Sequence, residues 1–143
     1  MSDLADAVEG IVHEPTQVRD DGGVDLTVTE VYEVTRPGRV DFGGGELDPA
    51  ALTPHGRVWR DEDDDYEWWH LDAGQFLLEY NESFAESDLR FTVQTREALL
   101  ERGAFHPTLH VTALPRVPLS VGAAGLRLKE NARLSTIVDA DPT

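Results

Sequence analysis

Residues Val24 to Val34, VDLTVTEVYEV, alternate apolar and polar side chains through Val24, Leu26 and Val28, then resume at Val31 with the phase shifted. A period of two describes a strand with one buried face. The slip around Glu30 predicts a bulge or bend, where one extra residue turns the following side chains back to the same side. Shorter segments of the same kind recur down the chain: Tyr66 to Leu71, Gln75 to Tyr80, Leu89 to Gln94, Thr108 to Thr112, Pro118 to Val121, Gly125 to Leu128 and Ala132 to Val138. Turn sequences rich in glycine or proline, such as Asp72-Ala73-Gly74, separate them. Helical spacing occurs only twice. Asp3 to Ile11 places Leu4, Ala7, Val8 and Ile11 on one side with Ser2 or Asp3 as a cap, and Arg96 to Arg102 is closed by Gly103. Many short strands with one or two short helices predict an all-β barrel or sandwich.

The stretch from Thr35 to Asp65 holds RPGR, FGGGELDP and TPHGR and ends in DEDDD, which favours turns, with short strands around Val40 to Phe42 and Val58 to Trp59. The acidic run Asp61 to Asp65 lacks the glycine and spaced glutamate of a calcium loop and reads as a solvated hairpin tip without a ligand. Aromatic residues at Tyr66, Trp68, Trp69, Phe76 and Tyr80 have no basic groove beside them, so they read as core and not as a stacking platform.

A chain of 143 residues, 40% of them hydrophobic, suits one domain spanning residues 1–143. Its net charge is -16 and Lys129 is its only lysine, which argues against nucleic acid or an anionic membrane as partner. Carboxylates at this density keep a surface hydrated in concentrated salt, where their repulsion is screened within a few ångströms, so a halophilic source is expected. Cysteine is absent, the first ten residues lack a basic start, and no apolar run is long enough to span a bilayer. A soluble, cytoplasmic protein is the expectation.

Candidate chemistry is sparse. His106 and His110, with His13, His55 and His70 elsewhere, lack an evident third ligand, so no metal centre is assigned. None of the serines Ser2, Ser83, Ser87, Ser120 and Ser135 sits in a nucleophile elbow. FGGGE has neither the lysine nor the following helix of a phosphate loop and reads as a turn.

Several phrases, in order and nearly end to end, resemble the dUTPase and dCTP deaminase superfamily, above all its archaeal branch. EPTQVRDDGGVDLTVTEVYEV is similar to the family's early strand, in which a proline, a glutamine and an Asp-Leu pair lead in. HLDAGQFLLEYNESF resembles its turn, hydrophobic strand and following glutamate, and GLRLKENARLSTI its closing hairpin with an Arg-hydrophobic pair. VQTREALLERGAFHPT stands where the family has Arg-Ser-Ser-Leu-Ala-Arg, with Arg96, Leu99 and Gly103 matching the framework.

The resemblance implies a distorted β-barrel or jelly-roll-like dUTPase fold and a role in deoxyuridine or deoxycytidine triphosphate metabolism, with dUTP or dCTP as ligand. It implies Mg2+ arriving with the triphosphate, and substrate contacts from Arg96, Arg102, His106 and Thr108. It implies a homotrimer, with Val117, Leu119, Val121 and Leu126 meeting partners across the threefold axis. Glu97 and Ala98 replace the family's serines, its aspartate has no counterpart in LHVTALPRVPLSV, and its deaminase glutamate falls near Ser120. No catalytic residue is therefore assigned. The alternative is a catalytically degenerate homologue that binds nucleotide or serves assembly.

Overall fold

In the computed structural model, which describes residues 3–85 and 88–143, the alternating stretch is the backbone of the fold. After a single 3-10 turn at Leu4–Ala7, a short strand β1 (Val8–Glu9) and a one-turn helix α1 (Glu14–Gln17), the chain enters the long strand β2 (Val24–Arg36). β2 pairs antiparallel with β3 (Ala51–Pro54) and β5 (Gly74–Tyr80), and the β5 register shifts between Val28 and Glu30, where the phase of the sequence slips. β4 (Trp68–Leu71) lies between β3 and β5 in the chain, and β6 (Ser83–Phe84) follows.

β7 (Leu89–Thr95) leads through Arg96 into α2 (Glu97–Leu100), then β8 (Ala104–Phe105) and β9 (Leu109–Val111). β10 (Val117–Val121), β11 (Leu126–Lys129) and β12 (Arg133–Pro142) complete the chain. The main sheet runs β8-β10-β5-β2-β12-β7-β9 with β3 also on β2, while β1-β6 and β4-β11 form two-stranded ribbons. The result is an all-β, curled antiparallel half-barrel with two short helices.

Two apolar clusters fill it. One joins Val28, Val31, Trp69, Leu78, Leu119, Leu128 and Leu134, and the other joins Val24, Leu26, Tyr80, Phe91, Val93, Val117 and Ile137. β12 feeds both, Leu134 into the first and Ile137 into the second. Trp69, Phe76 and Tyr80 are core residues as expected, whereas Tyr66 is exposed.

Several expectations need correction. The N-terminal helix is cut to one 3-10 turn because Val8 and Glu9 pair with Phe84 and Ser83, a tertiary contact that outweighs helical spacing. Asp6 Oδ2 accepts from the Asp3 amide at 3.3 Å, while the other suggested cap, Ser2, lies outside the described residues. Asp72-Ala73-Gly74 does not close a hairpin, since β4 pairs with β11 and β5 with β2 and β10; the turn is a corner between sheets.

Val40 to Phe42 form no strand, and Val58 makes only an isolated bridge to Trp68. The acidic run is not wholly solvated: the Asp64 side chain is nearly buried, 3.4 Å from Lys129 Nζ and 3.8 Å from Arg60 Nη2. Val117, Leu119, Val121 and Leu126 are buried in the chain's own core, so a neighbouring copy has no part in covering them. Curling of the sheet, invisible in a linear pattern, covers both ends of β10.

Two glycines meet specific demands. The helix expected over Arg96 to Arg102 is one turn, Glu97–Leu100 capped by Glu101, and Gly103, with φ +79°, follows in the left-handed region with its amide donating to the Leu100 carbonyl at 3.1 Å. At Gly125, φ +78°, a Cβ would stand 2.6 Å from the Leu71 carbonyl oxygen, which only glycine avoids.

Candidate functional site

Where β2, β12 and β7 lie side by side, one carboxylate collects three arginines. Asp25 sits opposite Thr136 in the β2-β12 ladder and is fully buried. Thr136 Oγ1 donates to its Oδ1 at 2.6 Å, and Arg133 Nη1 donates to its Oδ2 at 3.0 Å. Arg96 Nε lies 3.5 Å from Oδ2 and Arg19 Nη1 lies 3.7 Å from Oδ1. A buried carboxylate of this kind is stable only when paired and hydrogen-bonded, and here both oxygens have partners.

Each arginine is held locally. Arg96 is the residue ahead of α2, and its Nη1 donates to the Arg133 carbonyl at 3.1 Å. Arg133 Nη1 also donates to the Thr16 carbonyl at 3.1 Å, tying β12 to α1. Arg19 sits in the turn after α1, flanked by Asp21, whose Oδ1 accepts from the Gly23 amide at 2.9 Å.

That turn is anchored by Gln17. Its Oε1 accepts from the Val12 and His13 amides, both at 2.8 Å, and its Nε2 donates to the Asp25 carbonyl and to Glu82, both at 2.9 Å. Glu82 is itself buried and accepts from the Thr27 amide at 2.8 Å and from its hydroxyl.

Above this cluster opens a cleft of about 670 Å³, walled by Arg19, Asp21, Arg96, Glu97, Leu100 and Val138 among others. Leu100 and Val138 are exposed there, giving the cleft an apolar side beside the cationic one. Burial holds the Arg96 guanidinium below its ordinary pKa; Arg133 and Arg19 push the same way, and Asp25 opposes them. An arginine keeps its proton regardless. Three guanidiniums face the one buried carboxylate, and Arg19 also lies 3.7 Å from Asp21, which shares the cleft wall with Glu97.

The residues expected to contact substrate do not all meet here. Arg96 lines the cleft. Arg102 is exposed, donates to the Ala98 carbonyl at 2.8 Å, and lines a different cleft of about 410 Å³ with His70, Asp72 and Arg127. Thr108 is exposed in the loop before β9 and lines neither cleft.

His106 turns inward and is buried. Its Nδ1 bonds to the Pro107 carbonyl at 2.7 Å, an oxygen that can only accept, so Nδ1 carries the proton. Nε2 then accepts from the Ser135 hydroxyl at 2.7 Å, and Tyr80 O–H donates to Ser135 Oγ at 2.5 Å. Burial lowers the pKa of His106 against the opposing Pro107 bond, and burial lifts that of Tyr80 to about 12, aided by Glu82 and opposed by Ser135. Despite its Ser-His contact this chain of bonds is no hydrolase centre, because Ser135 is fully buried.

Arg19, Arg133, Thr136 and the hub role of Asp25 went unread in the sequence. Their signal was present: the Asp-Leu pair at Asp25-Leu26 and the Arg-hydrophobic pair at Arg133-Leu134 belong to the phrases that carry the family resemblance.

No family profile matches the chain. It is 29% identical over 137 residues to a protein of Methanosarcina acetivorans named "Probable deoxyuridine 5'-triphosphate nucleotidohydrolase", covering 92% of this chain and 76% of that one. A protein of the same name from Halobacterium salinarum is 36% identical over 81 residues, 56% of this chain and 45% of the relative. Among solved structures, the 2'-deoxycytidine 5'-triphosphate deaminase of Agrobacterium tumefaciens shares the fold, with a TM-score of 0.59 at 16% identity. The match covers 93% of this chain but 43% of the deaminase, so this chain spans less than half of the length of that protein. In its half-barrel, its ordered phrases and these likenesses together, the chain resembles the dUTPase and dCTP deaminase superfamily.

Proposed function

We propose that the protein acts on a deoxynucleoside triphosphate, hydrolysing dUTP to dUMP and pyrophosphate, with the triphosphate seated in the cleft of Arg19 and Arg96. The observation that carries this is the convergence of Arg19, Arg96 and Arg133 on Asp25 in an otherwise acidic chain. Bidentate arginine donors suit phosphate oxygens, and their charge offsets the negative charge that grows as phosphorus is attacked. The exposed Leu100 and Val138 offer an apolar wall to the sugar or base. The relatives named as deoxyuridine triphosphate hydrolases support uracil as the base and hydrolysis as the reaction.

A water must lose a proton as it attacks. Glu97 lines the cleft, and its carboxylate has no partner among the described residues, so we assign it as the general base. Asp25 is unsuited to that task, since both its oxygens are occupied and it is buried. A positioned base contributes about 10²- to 10⁴-fold in rate.

Magnesium fits as an ion brought by the nucleotide. No group of three ligating side chains stands together among the described residues, whereas one carboxylate besides the base, that of Asp21, lines the cleft. Magnesium is held in this way, by one or two carboxylates and substrate phosphates, and when bound it neutralises phosphate charge.

The same reading extends to a homotrimer in a salt-rich cytoplasm. In a site shared between copies, Arg102 and Thr108 of a neighbour would contribute what the single chain holds away from its arginine cleft. The test is a panel of dUTP, dCTP, dTTP and UTP in thermal-shift format at high salt with Mg2+, monitoring pyrophosphate and ammonia in the same wells. The proposal expects dUTP to raise the melting temperature and release pyrophosphate. Ammonia from dCTP would assign deamination instead, and stabilisation without turnover would assign a binding role.

A further inference from the structure

Asp25 is the group that all three arginines approach, and it does so from beneath the cleft without lining it. The arginines come from separate places: the turn before β2, the residue ahead of α2 and the first residue of β12. Like charges brought this close repel, so their convergence needs a counter-charge in a fixed position. Thr136 supplies the fixing, since its hydroxyl holds Oδ1 at 2.6 Å and leaves Oδ2 for Arg133 and Arg96.

Resting on the triphosphate reading above, we propose that Asp25 is a positioning residue, oriented by Thr136, that sets Arg19 and Arg96 in the geometry that receives the triphosphate. It touches no substrate and acts only through the guanidiniums.

Electrostatics and positioning predict opposite signs. Removing a buried carboxylate beside two cleft arginines raises the positive potential, so an anion binds more tightly if the arginines keep their places unaided. If Asp25 sets those places, affinity falls although the cleft has become more positive. A loss of affinity accompanying a gain of positive charge is not what simple charge accounting gives.

The experiment is calorimetric titration of inorganic triphosphate and of dUTP into the wild type, Asp25→Asn, Thr136→Val and Thr136→Ser at one fixed salt concentration, with thermal unfolding of each. Asp25→Asn is expected to weaken inorganic triphosphate about tenfold or more, the scale of losing the buried counter-charge that pairs with Arg19 and Arg96. Thr136→Val, which keeps every charge, is expected to weaken it by about threefold, and Thr136→Ser to restore it. Unchanged or tighter binding in folded Asp25→Asn overturns the positioning role and leaves the triphosphate reading intact. Should Asp25→Asn fail to fold, wild-type affinity in Thr136→Val overturns it in the same way. A wild type that binds neither inorganic triphosphate nor dUTP overturns the functional reading itself, and the proposal with it.

Discussion

Ser135 donates its hydroxyl proton to Nε2 of His106 across 2.7 Å inside the barrel, and this bond requires a neutral imidazole. Burial keeps His106 below its ordinary pKa of 6.5, so the folded state disfavours its protonation more than the unfolded state does. The stability this contributes is present above about pH 6.5, the unfolded value, and is lost as pH falls through the lower folded one. The wild type is therefore expected to lose melting temperature on acidification in that window by more than His106→Gln, compared in parallel thermal scans. Equal slopes in the two proteins would contradict the assignment of a buried neutral histidine.

Removing the bridging hydroxyl tests the same chain of bonds from its middle. Ser135→Ala leaves Tyr80 O–H and His106 Nε2 without their shared partner. A destabilisation of about 1–3 kcal/mol is expected in urea unfolding. A change within about 0.5 kcal/mol, the range of an ordinary surface substitution, would show that the hydroxyl is dispensable.

Gln17 fixes the turn that carries Arg19. Gln17→Ala removes bonds to Val12, His13, Asp25 and Glu82 and leaves Glu82 less satisfied in the interior. It is expected to cost about 2–4 kcal/mol and to weaken triphosphate binding along with stability. Full affinity in the folded variant would separate the turn from the cleft.

How much of this was legible follows from which interactions are local. The bulge between Val28 and Glu30 was readable because a phase slip in a period-two pattern has one structural meaning. The left-handed Gly103 is readable because the chain must turn back beyond a short helical segment, and glycine takes that conformation at little cost. The strand at Val8–Glu9 was not, since its partner β6 lies far along the chain and periodicity cannot announce it. The arginine cluster is of the same kind: Arg96 and Arg133 meet Asp25 through the β2-β12-β7 register, and Arg19 joins them from the turn after α1. His106 to Thr108 resemble the start of the family's base-binding hairpin, and the strand register that turns His106 toward Ser135 leaves no trace in the sequence.

Salt gives a separate prediction from charge alone. With net charge -16, self-repulsion opposes the compact state, and screening relieves it within a Debye length of about 3 Å at 1 M. The melting temperature should climb as KCl rises from dilute buffer to molar concentration. A flat profile would remove the physical ground for a halophilic setting.

Glu97 is expected to serve chemistry and not affinity. Glu97→Gln should lower dUTP turnover by about 10²-fold or more while leaving dUTP binding as tight as in the wild type or tighter, because a carboxylate beside the phosphates is gone. A variant that keeps its rate would assign the base elsewhere.

The most direct measurement is pyrophosphate release from dUTP with Mg2+ at high salt by the wild type and by Arg96→Ala, each confirmed folded by its melting curve. Turnover by the wild type that falls about 10- to 100-fold in kcat/KM on losing the Arg96 guanidinium is the predicted result. An inert wild type, or an Arg96→Ala protein that turns over dUTP at the wild-type rate, would contradict a triphosphate seated against the arginine cluster.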